Sequence, residues 1–494
     1  MRKVENFPKF QTLLKKVEKC SKLIIERKVR FVKVICLKDL TKGNIYKTFL
    51  LFAIPLILAG LLSQSSSIID TVIAGKMFDS KGLAAIGATS PFIQFFSSFF
   101  WGYGIGYSIY IANLFGAGDY KKVKTAIYIN YYFLITFIFS LSIITVVFKE
   151  PVFNLLSVDK SIRDSAYGYF VIYMLGIFFV IFNTINLYVM NALGSSTVPF
   201  LMSVLITVLH IAGNVFAVKV LKMGINGIAA STVLSAAVVN VLYFAEIKKC
   251  LKKMGVEKYK VKFSFDPVKK GFFYSLPTAF QQLVMYFSSV IISPIVNGIG
   301  GAASAAYIIC LKVYDINASV YQNSAKTLSN YVAQSMGAGK YENVKKGLKV
   351  GFLQGVVLVL PFIIFCVIFA KQLCMLFLTE ESGNSDVLNL SFTFVRYYIP
   401  LVIFDLVNNL LHGFYRSNKA MNIVVIVTVF GSVSRIISTF VLVGKFGMNG
   451  VYAGWAASWI LECIFTLILY FSGVWKSDEI KKYELKRKGN SYEI

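Results

Sequence analysis

The chain has 494 residues, 56% of them hydrophobic and only 15% charged, and its mean hydropathy is +0.67. Ordinary soluble domains carry about 25% charged residues, so the composition excludes a soluble globular protein and indicates a polytopic membrane protein. The net charge of +27 is no sign of a nucleic-acid partner, because the lysines gather in particular loops, the pattern of positive-inside topology.

Residues 1–46 mix Lys and Arg with apolar residues, as in LLKKVEKCSKLIIERKVRFVKVICL. The spacing permits a basic amphipathic helix on an anionic inner leaflet; the alternative is a poorly ordered tail. No cleavable signal peptide is expected, since the segment lacks a clean apolar core before a small-residue site. Twelve spans follow, at about 48–75, 84–115, 124–148, 167–192, 198–221, 225–247, 271–299, 303–335, 347–370, 388–415, 420–444 and 448–473.

Span 1 carries Asp70, with Ser63, Ser66 and Ser67 at helical spacing from it. A charge near the bilayer centre costs roughly 3 kcal/mol on insertion scales, so such a residue is by default a functional candidate facing a cavity or partner. The bland alternative places Asp70 at the helix end. Pro55 upstream removes a backbone donor and is expected to bend the helix, as is Pro277 in span 7. Asn183 and Asn186 in span 4 either line a cavity or stitch helices. Gln281 in span 7 is a further cavity candidate. Span 8 has the longest polar face, with Lys312, Asp315, Ser319, Gln322, Asn323, Lys326, Asn330 and Gln334 at helical spacing. It reads as cavity lining, with Lys312 and Asp315 able to pair at i,i+3. In span 10, Asn408, Asn409, His412 and Arg416 follow Asp405 on one face. That face lines a cavity or forms an interhelical network. Arg435 in span 11 is a candidate partner for Asp405 or Asp315, and Glu462 in span 12 is an intramembrane acid with no evident role.

The basic segments after spans 2, 6, 8 and 10, and both tails, fall on one side if the count is twelve, so both termini are expected in the cytoplasm. The seven cysteines show neither a CxxC pair nor metal-ligand spacing, and free thiols are expected.

The chain also repeats itself. FGAGDYKKV (115–123) recurs as MGAGKYENV (336–344), KMGINGIAAS (222–231) in part as KFGMNGVYAG (445–454), and FAIP (52–55) as YSLP (274–277). The near-constant offset indicates duplication of a six-helix unit. Six is even, so the repeats are parallel and related by an axis along the membrane normal. The expected organisation is a basic extension 1–46, an N-lobe 47–248, a basic linker 249–270, a C-lobe 271–474 and a tail 475–494. Substrate sites in such transporters lie near the midplane between repeats. No phosphate-binding loop occurs, and no catalytic constellation stands out, so an enzyme is not expected and any pumping uses an ion gradient.

Several motifs in order, LTKGNIYKTFLLFAIPLIL (40–58), IIDTVIAG (68–75), LAAIGATSPF (83–92), the two GAG segments and MNALGSSTVP (190–199), resemble the multidrug and toxic compound extrusion (MATE) family of a wider flippase superfamily. The resemblance spans about residues 40–473. It implies two six-helix lobes around a central cavity, alternating access, and export of organic cations or other amphiphiles against inward H⁺ or Na⁺, with no other cofactor. The family's helix 1 carboxylate falls on Asp70 and its bending proline on Pro55. Its N-lobe ion site maps onto His210, Asn214 and Thr232, with one carboxylate missing, and its C-lobe acid onto Asp405. The helix 7 Glu of one branch falls near Met285 and is absent. Na⁺ is a candidate ligand at Asp70 or Asp405, with no structural metal. The resemblance places the protein in a prokaryotic plasma membrane, and a monomer is expected.

Two mechanisms follow. In the first, Asp70 with His210 and Thr232 takes up the ion, since imidazole ordinarily titrates near neutrality. In the second, Asp405 and its polar face do so. The competing function is a flippase for a lipid-linked saccharide or other envelope lipid, which a basic cavity would favour. Lys312, Lys326 and Arg435 lean that way, whereas a cation exporter should show an acidic or aromatic cavity. A non-transporting scaffold leaves the costly intramembrane acids without a use.

Overall fold

The computed structural model describes residues 37–77, 80–155, 158, 160–378 and 385–489, and for 65–77, 80–83, 155 and 487–489 the backbone alone. Of the basic extension, residues 1–36 lie outside the described residues.

All the regular structure among the described residues is helical. The first half holds α1 (Ile45–Met77), α2 (Ser80–Gly116), α3 (Tyr120–Val147), a short α4 (Lys149–Leu155), α5 (Arg163–Ala192), α6 (Thr197–Val215, extended by a π turn Phe216–Val220) and α7 (Ile225–Lys253). The second half holds α8 (Asp266–Ile299), α9 (Gly301–Gly337), α10 (Glu342–Ile368), a short α11 (Ala370–Met375), α12 (Ser385–Thr393), α13 (Val402–Ser417), α14 (Met421–Phe446) and α15 (Met448–Ser472). A terminal helix α16 spans Asp478–Gly489. The tenth expected span is thus broken. A π turn Phe394–Tyr398 and a 3-10 turn Ile399–Leu401 separate α12 from α13. Pro400 lies in the break, where its missing N–H and its ring end the preceding helix.

Counting α12–α13 as one span gives twelve long helical segments in two six-helix lobes. Ten are long and apolar enough to cross a membrane. The other two, α2 and α9, are 37 residues each and occupy equivalent places in the halves. Large apolar side chains such as Leu51, Ile54, Val241 and Ile437 are exposed, as lipid-facing positions require.

The duplication is visible in the packing. In the first half α1 packs on α6, α2 on α5, α5 on α7 and α6 on α7. In the second, α8 packs on α14, α9 on α13, α13 on α15 and α14 on α15. These are the same four pairings six spans later. The lobes meet where α2 packs on α8 and α9, and where α1 packs on α9.

One end of the molecule gathers the basic loops. There Lys124 donates to the carbonyls of Val256 (3.0 Å), Glu257 (2.7 Å) and Tyr259 (2.7 Å), fixing the segment between the lobes. At this end α2 and α9 cross. A Cβ on Gly116 would run into the backbone of Gln334, and one on Gly337 into that of Asn113. Asn113 and Gln334 are themselves repeat equivalents, so the two contacts are one contact seen twice. The turns that follow each crossing need positive φ, +72° at Gly118 and +69° at Gly339, a region glycine enters without steric cost. Gln334 completes the seal. Its Oε1 accepts from Leu40 N (2.9 Å) and its Nε2 donates to Ala192 O (2.9 Å).

Candidate functional site

Above this crossing lies a cavity of about 450 Å³, lined by α2, α5, α8, α9, α13, α14 and α15. Its walls carry three acids, Asp315, Asp405 and Glu462, and three basic residues, Lys326, Arg416 and Arg435. Its aromatic lining is Trp101, Tyr188, Tyr286, Tyr314, Trp455 and Trp459.

Asp405 is 8% exposed and sits in the first turn of α13, directly after the Pro400 break. The chain stays helical through the π and 3-10 turns, with the Ile399 N–H bonding the Phe394 carbonyl and the Val402 N–H those of Ile399 and Pro400. Asn409 Nδ2 donates to Asp405 Oδ1 (3.0 Å). On the other oxygen, the hydroxyls of Tyr314 (2.8 Å) and Tyr321 (2.6 Å), both from α9, approach Asp405 Oδ2 and lie 2.8 Å from each other. Three oxygens thus form a triangle whose three contacts have only two hydroxyl protons between them. A single proton on the carboxyl would complete the ring.

Two turns further along α13, His412 Nε2 is 3.4 Å from Glu462 Oε1, and Gln281 Nε2 is 3.4 Å from His412 Nδ1. His412 Nε2 makes no well-aligned hydrogen bond, so the pair is a close approach rather than a bridge. A Cβ on Gly431 would meet the Glu462 carboxylate, so the small residue on α14 is what admits that side chain. Arg435 stacks over Trp455 at 4.5 Å and donates to Tyr307 Oη (3.2 Å) and Ser289 Oγ (3.4 Å). It forms no ion pair with Asp405 or Asp315 among the described residues, correcting the pairing expected from sequence.

Of the expected cavity residues, Gln281, Asp315, Gln322, Lys326, Asn330, Asn409, His412, Arg416 and Arg435 line this cavity. Others do not. Asn186 is fully buried between helices, accepting from Tyr131 Oη and donating to Asn240 Oδ1 (2.9 Å); it stitches α3, α5 and α7. Asn183, half-buried on the same helix, also lies off the lining. Asn408 donates to Trp459 O (3.1 Å), tying α13 to α15. Asn323 faces α1, where Gly60 lies against it and Ser319, and Lys312 lies off the lining too. The reason is angular. At about 100° per residue, Asn323 stands roughly 80° round α9 from Asp315, enough to turn it to a neighbouring helix. The side chains of Ser67 and Asp70 lie outside the described residues. In the N-lobe, His210 Nε2 lies 3.0 Å from Thr232 Oγ1 and 3.3 Å from Asn214 Nδ2, so three of the expected residues meet in one cluster. Pro55 and Pro277 both sit inside continuous helices.

Sequence reasoning missed Tyr314 and Tyr321 as holders of Asp405. They stand seven residues apart on one side of α9, about 100° round from Asp315 and off the polar face, and 28 tyrosines in the chain obscure them further. It also left Glu462 without a role; the structure sets it against His412.

The MatE family pattern matches residues 55–216 and 277–441, two stretches that begin at the equivalent prolines Pro55 and Pro277. The chain is similar to the probable multidrug resistance protein YpnP of Bacillus subtilis (strain 168), 24% identical over 446 residues, covering 89% of this chain and 98% of that one. It is also similar to a protein of Shewanella oneidensis named FAD transporter, 22% identical over 350 residues, covering 69% and 76%. Its fold resembles the outward-facing conformation of a multidrug resistance MATE family transporter of the MOP superfamily, with a TM-score of 0.83 at 17% identity, covering 91% of this chain and 99% of that one. With the family pattern matched in both halves and over more than half of its length, and with twelve helices packed as two equivalent lobes about a polar cavity, the chain belongs to the MatE family of membrane transporters.

Proposed function

We propose that the protein is an ion-coupled antiporter of the plasma membrane that exports amphiphilic compounds, organic cations among them, by alternating access of the central cavity. The observation that carries this reading is the Asp405 triangle. An anionic Asp405 leaves one of its three contacts without a proton, and H⁺ uptake supplies it. Because Tyr314 and Tyr321 belong to α9 while Asp405 belongs to α13, the same proton changes how these helices hold one another. An ion shifts the balance between two states only through unequal affinity for them, and this triangle forms only when α9 and α13 are apposed as here. Positive-inside topology puts the basic end in the cytoplasm, and the described state is then sealed on that side. The His210, Asn214 and Thr232 cluster is the N-lobe counterpart and the second candidate for ion coupling, with Asp70 as the carboxylate the sequence assigns to it.

The test is efflux of a fluorescent organic cation from cells, with Asp405→Asn and Asp70→Asn alongside, each with and without Na⁺ and with a protonophore. Efflux is expected to stop with the protonophore, to ignore Na⁺, and to fall to background in Asp405→Asn. Normal efflux in both variants would sink the mechanism.

A second reading, a flippase or exporter for acidic amphiphiles such as lipid-linked saccharides, is favoured by one observation: the cavity holds Lys326, Arg416 and Arg435 as well as its acids.

A further inference from the structure

We propose that Lys326 and Arg416 form a receptor for the acidic group, carboxylate or phosphate monoester, of an amphiphilic substrate. The inference deepens the transport reading above and rests on it. Lys326 comes from α9 and Arg416 from the last turn of α13, so both lie at the sealed end of the cavity. Their helices touch at this level, where Ser329 Oγ donates to Gly413 O (2.9 Å) and Ser417 Oγ donates to Ser329 O (2.8 Å). Arg416 is 8% exposed and Lys326 half-buried. Neither forms an ion pair among the described residues. The acids of the cavity are otherwise engaged: Asp405 with Tyr314, Tyr321 and Asn409, and Glu462 with His412. Asp315 is eleven residues from Lys326 on the same helix, about 16 Å along the axis, out of pairing range.

Two cations held side by side away from water are costly unless an anion joins them. Their donors are free to receive one. Lys326 Nζ spends one of its three hydrogens on Asn323 Oδ1 (3.2 Å). Arg416 spends only Nε–H, on His412 O (3.1 Å), which leaves its two terminal amino groups for a forked contact with carboxylate or phosphate. The Lys326 ammonium also lies over the rings of Tyr188 (5.5 Å) and Trp101 (5.9 Å). Those rings offer an apolar wall beside the charged pair, which suits a ligand with an acid at one end and a hydrophobic body. The cation-accepting groups, Asp315 and the Asp405 aromatic cluster, lie higher in the same cavity. A zwitterionic amphiphile would therefore enter acid first.

The experiment uses the full chain in phosphatidylcholine nanodiscs and calorimetric titration with dodecyl phosphate, laurate and inorganic phosphate, with ethidium as a cationic probe. A fourth arm uses nanodiscs doped with phosphatidic acid. The expected result is binding of dodecyl phosphate and laurate that weakens as salt is raised, and at least tenfold weaker binding in Lys326→Gln and in Arg416→Gln. Lys326→Arg is expected to retain binding, which separates lost charge from misfolding. Competition by phosphatidic acid assigns the acid to a lipid headgroup; competition by inorganic phosphate alone assigns it to a free anion. Undiminished dodecyl phosphate binding in the Lys326→Gln, Arg416→Gln double variant overturns the proposal, as does wild-type binding that is absent or indifferent to salt. Asp405→Asn separates the two readings. It is expected to abolish coupled efflux yet bind dodecyl phosphate as the wild type does. Efflux without any anion binding would leave the transporter reading standing and remove this one.

Discussion

At the scale of single residues, the site depends on which side chains hold a charge in place. Asp405 is held by one amide and two phenols rather than by a cation, even though Arg435 lies in the same cavity. Arg435 instead spends its guanidinium on the Trp455 face and two hydroxyls. Neutral donors can rearrange when a carboxylate gains a proton, whereas a bound guanidinium would hold it ionised. Tyr321→Phe removes one corner of the triangle and keeps the ring. Hydrogen bonds to a charged group are worth about 1.5–3 kcal/mol, so proton-driven efflux is expected to fall at least about tenfold with unchanged membrane insertion. Tyr131→Phe, which removes a similarly buried hydroxyl from the Asn186 network, is expected to leave pH dependence intact. Equal pH profiles in the Tyr321 variant and the wild type would show that the triangle takes no part in coupling. The carboxylate, the imidazole and the arginine of α13 were legible in the sequence because they share one helical face. The tyrosines were not, since a tyrosine on an apolar helix reads equally as packing or as a ligand.

At the scale of elements, two short pieces do what the long helices cannot. The π and 3-10 turns around Pro400 interrupt the α geometry of the tenth span just before Asp405. The terminal helix α16 ties back to the C-lobe. Glu479 pairs with Lys419, Glu484 bridges Lys345 (2.8 Å) and Lys476 (2.6 Å), and Trp475 and Ile480 are buried beside them. The hydrogen bond from Lys419 is the main reason the Glu479 carboxyl is pulled down to about 2, from the ordinary 4.5. Glu484 is likewise lowered by its bonds from Lys345 and Lys476. A lowered carboxyl contributes docking free energy in full above its ordinary value and loses it as pH falls through the native one. The α16 contact is therefore expected to be unchanged from pH 7 to 5 and to loosen between about 4.5 and 2. These pairs are partly exposed, so salt should weaken them as well. Amide exchange of residues 478–486 against pH measures this. Loosening that begins above pH 5 would mean the apolar contacts of Trp475 and Ile480, not the ion pairs, hold the helix.

At the scale of the whole molecule, the two lobes are drawn together at the basic end because the same contact is made twice. Gly116 against Gln334 and Gly337 against Asn113 bring α2 and α9 close enough to shut the basic end. Small residues at crossings are how membrane helices approach without a hydrophobic driving force. A branched side chain at either glycine cannot be absorbed, since the obstacle is backbone rather than a movable side chain. Gly337→Val is expected to insert normally, to lose transport, and to leave the basic end accessible to a cytoplasmic thiol reagent at a cysteine placed beside the crossing. Gly116→Val is expected to give the same phenotype, because the contacts are equivalent. Normal sealing in either variant would mean that other contacts close the molecule.

The sequence by itself determined the membrane setting, the twelve spans, the duplicated lobes and the helices that carry polar faces. These depend on composition, on helical period and on repeats of known offset, all of which are local in the chain. Only the tertiary structure decided which part of each polar face meets the cavity. Asn323 and Lys326 are three residues apart on α9, yet Asn323 turns toward Gly60 while Lys326 lines the cavity. It also decided the partners: Glu462 against His412, Tyr321 against Asp405, Asn408 against α15 rather than the cavity. A polar stripe reports that a helix face is not in lipid; what it faces is set by the packing of helices far apart in sequence, and no spacing within one helix encodes that.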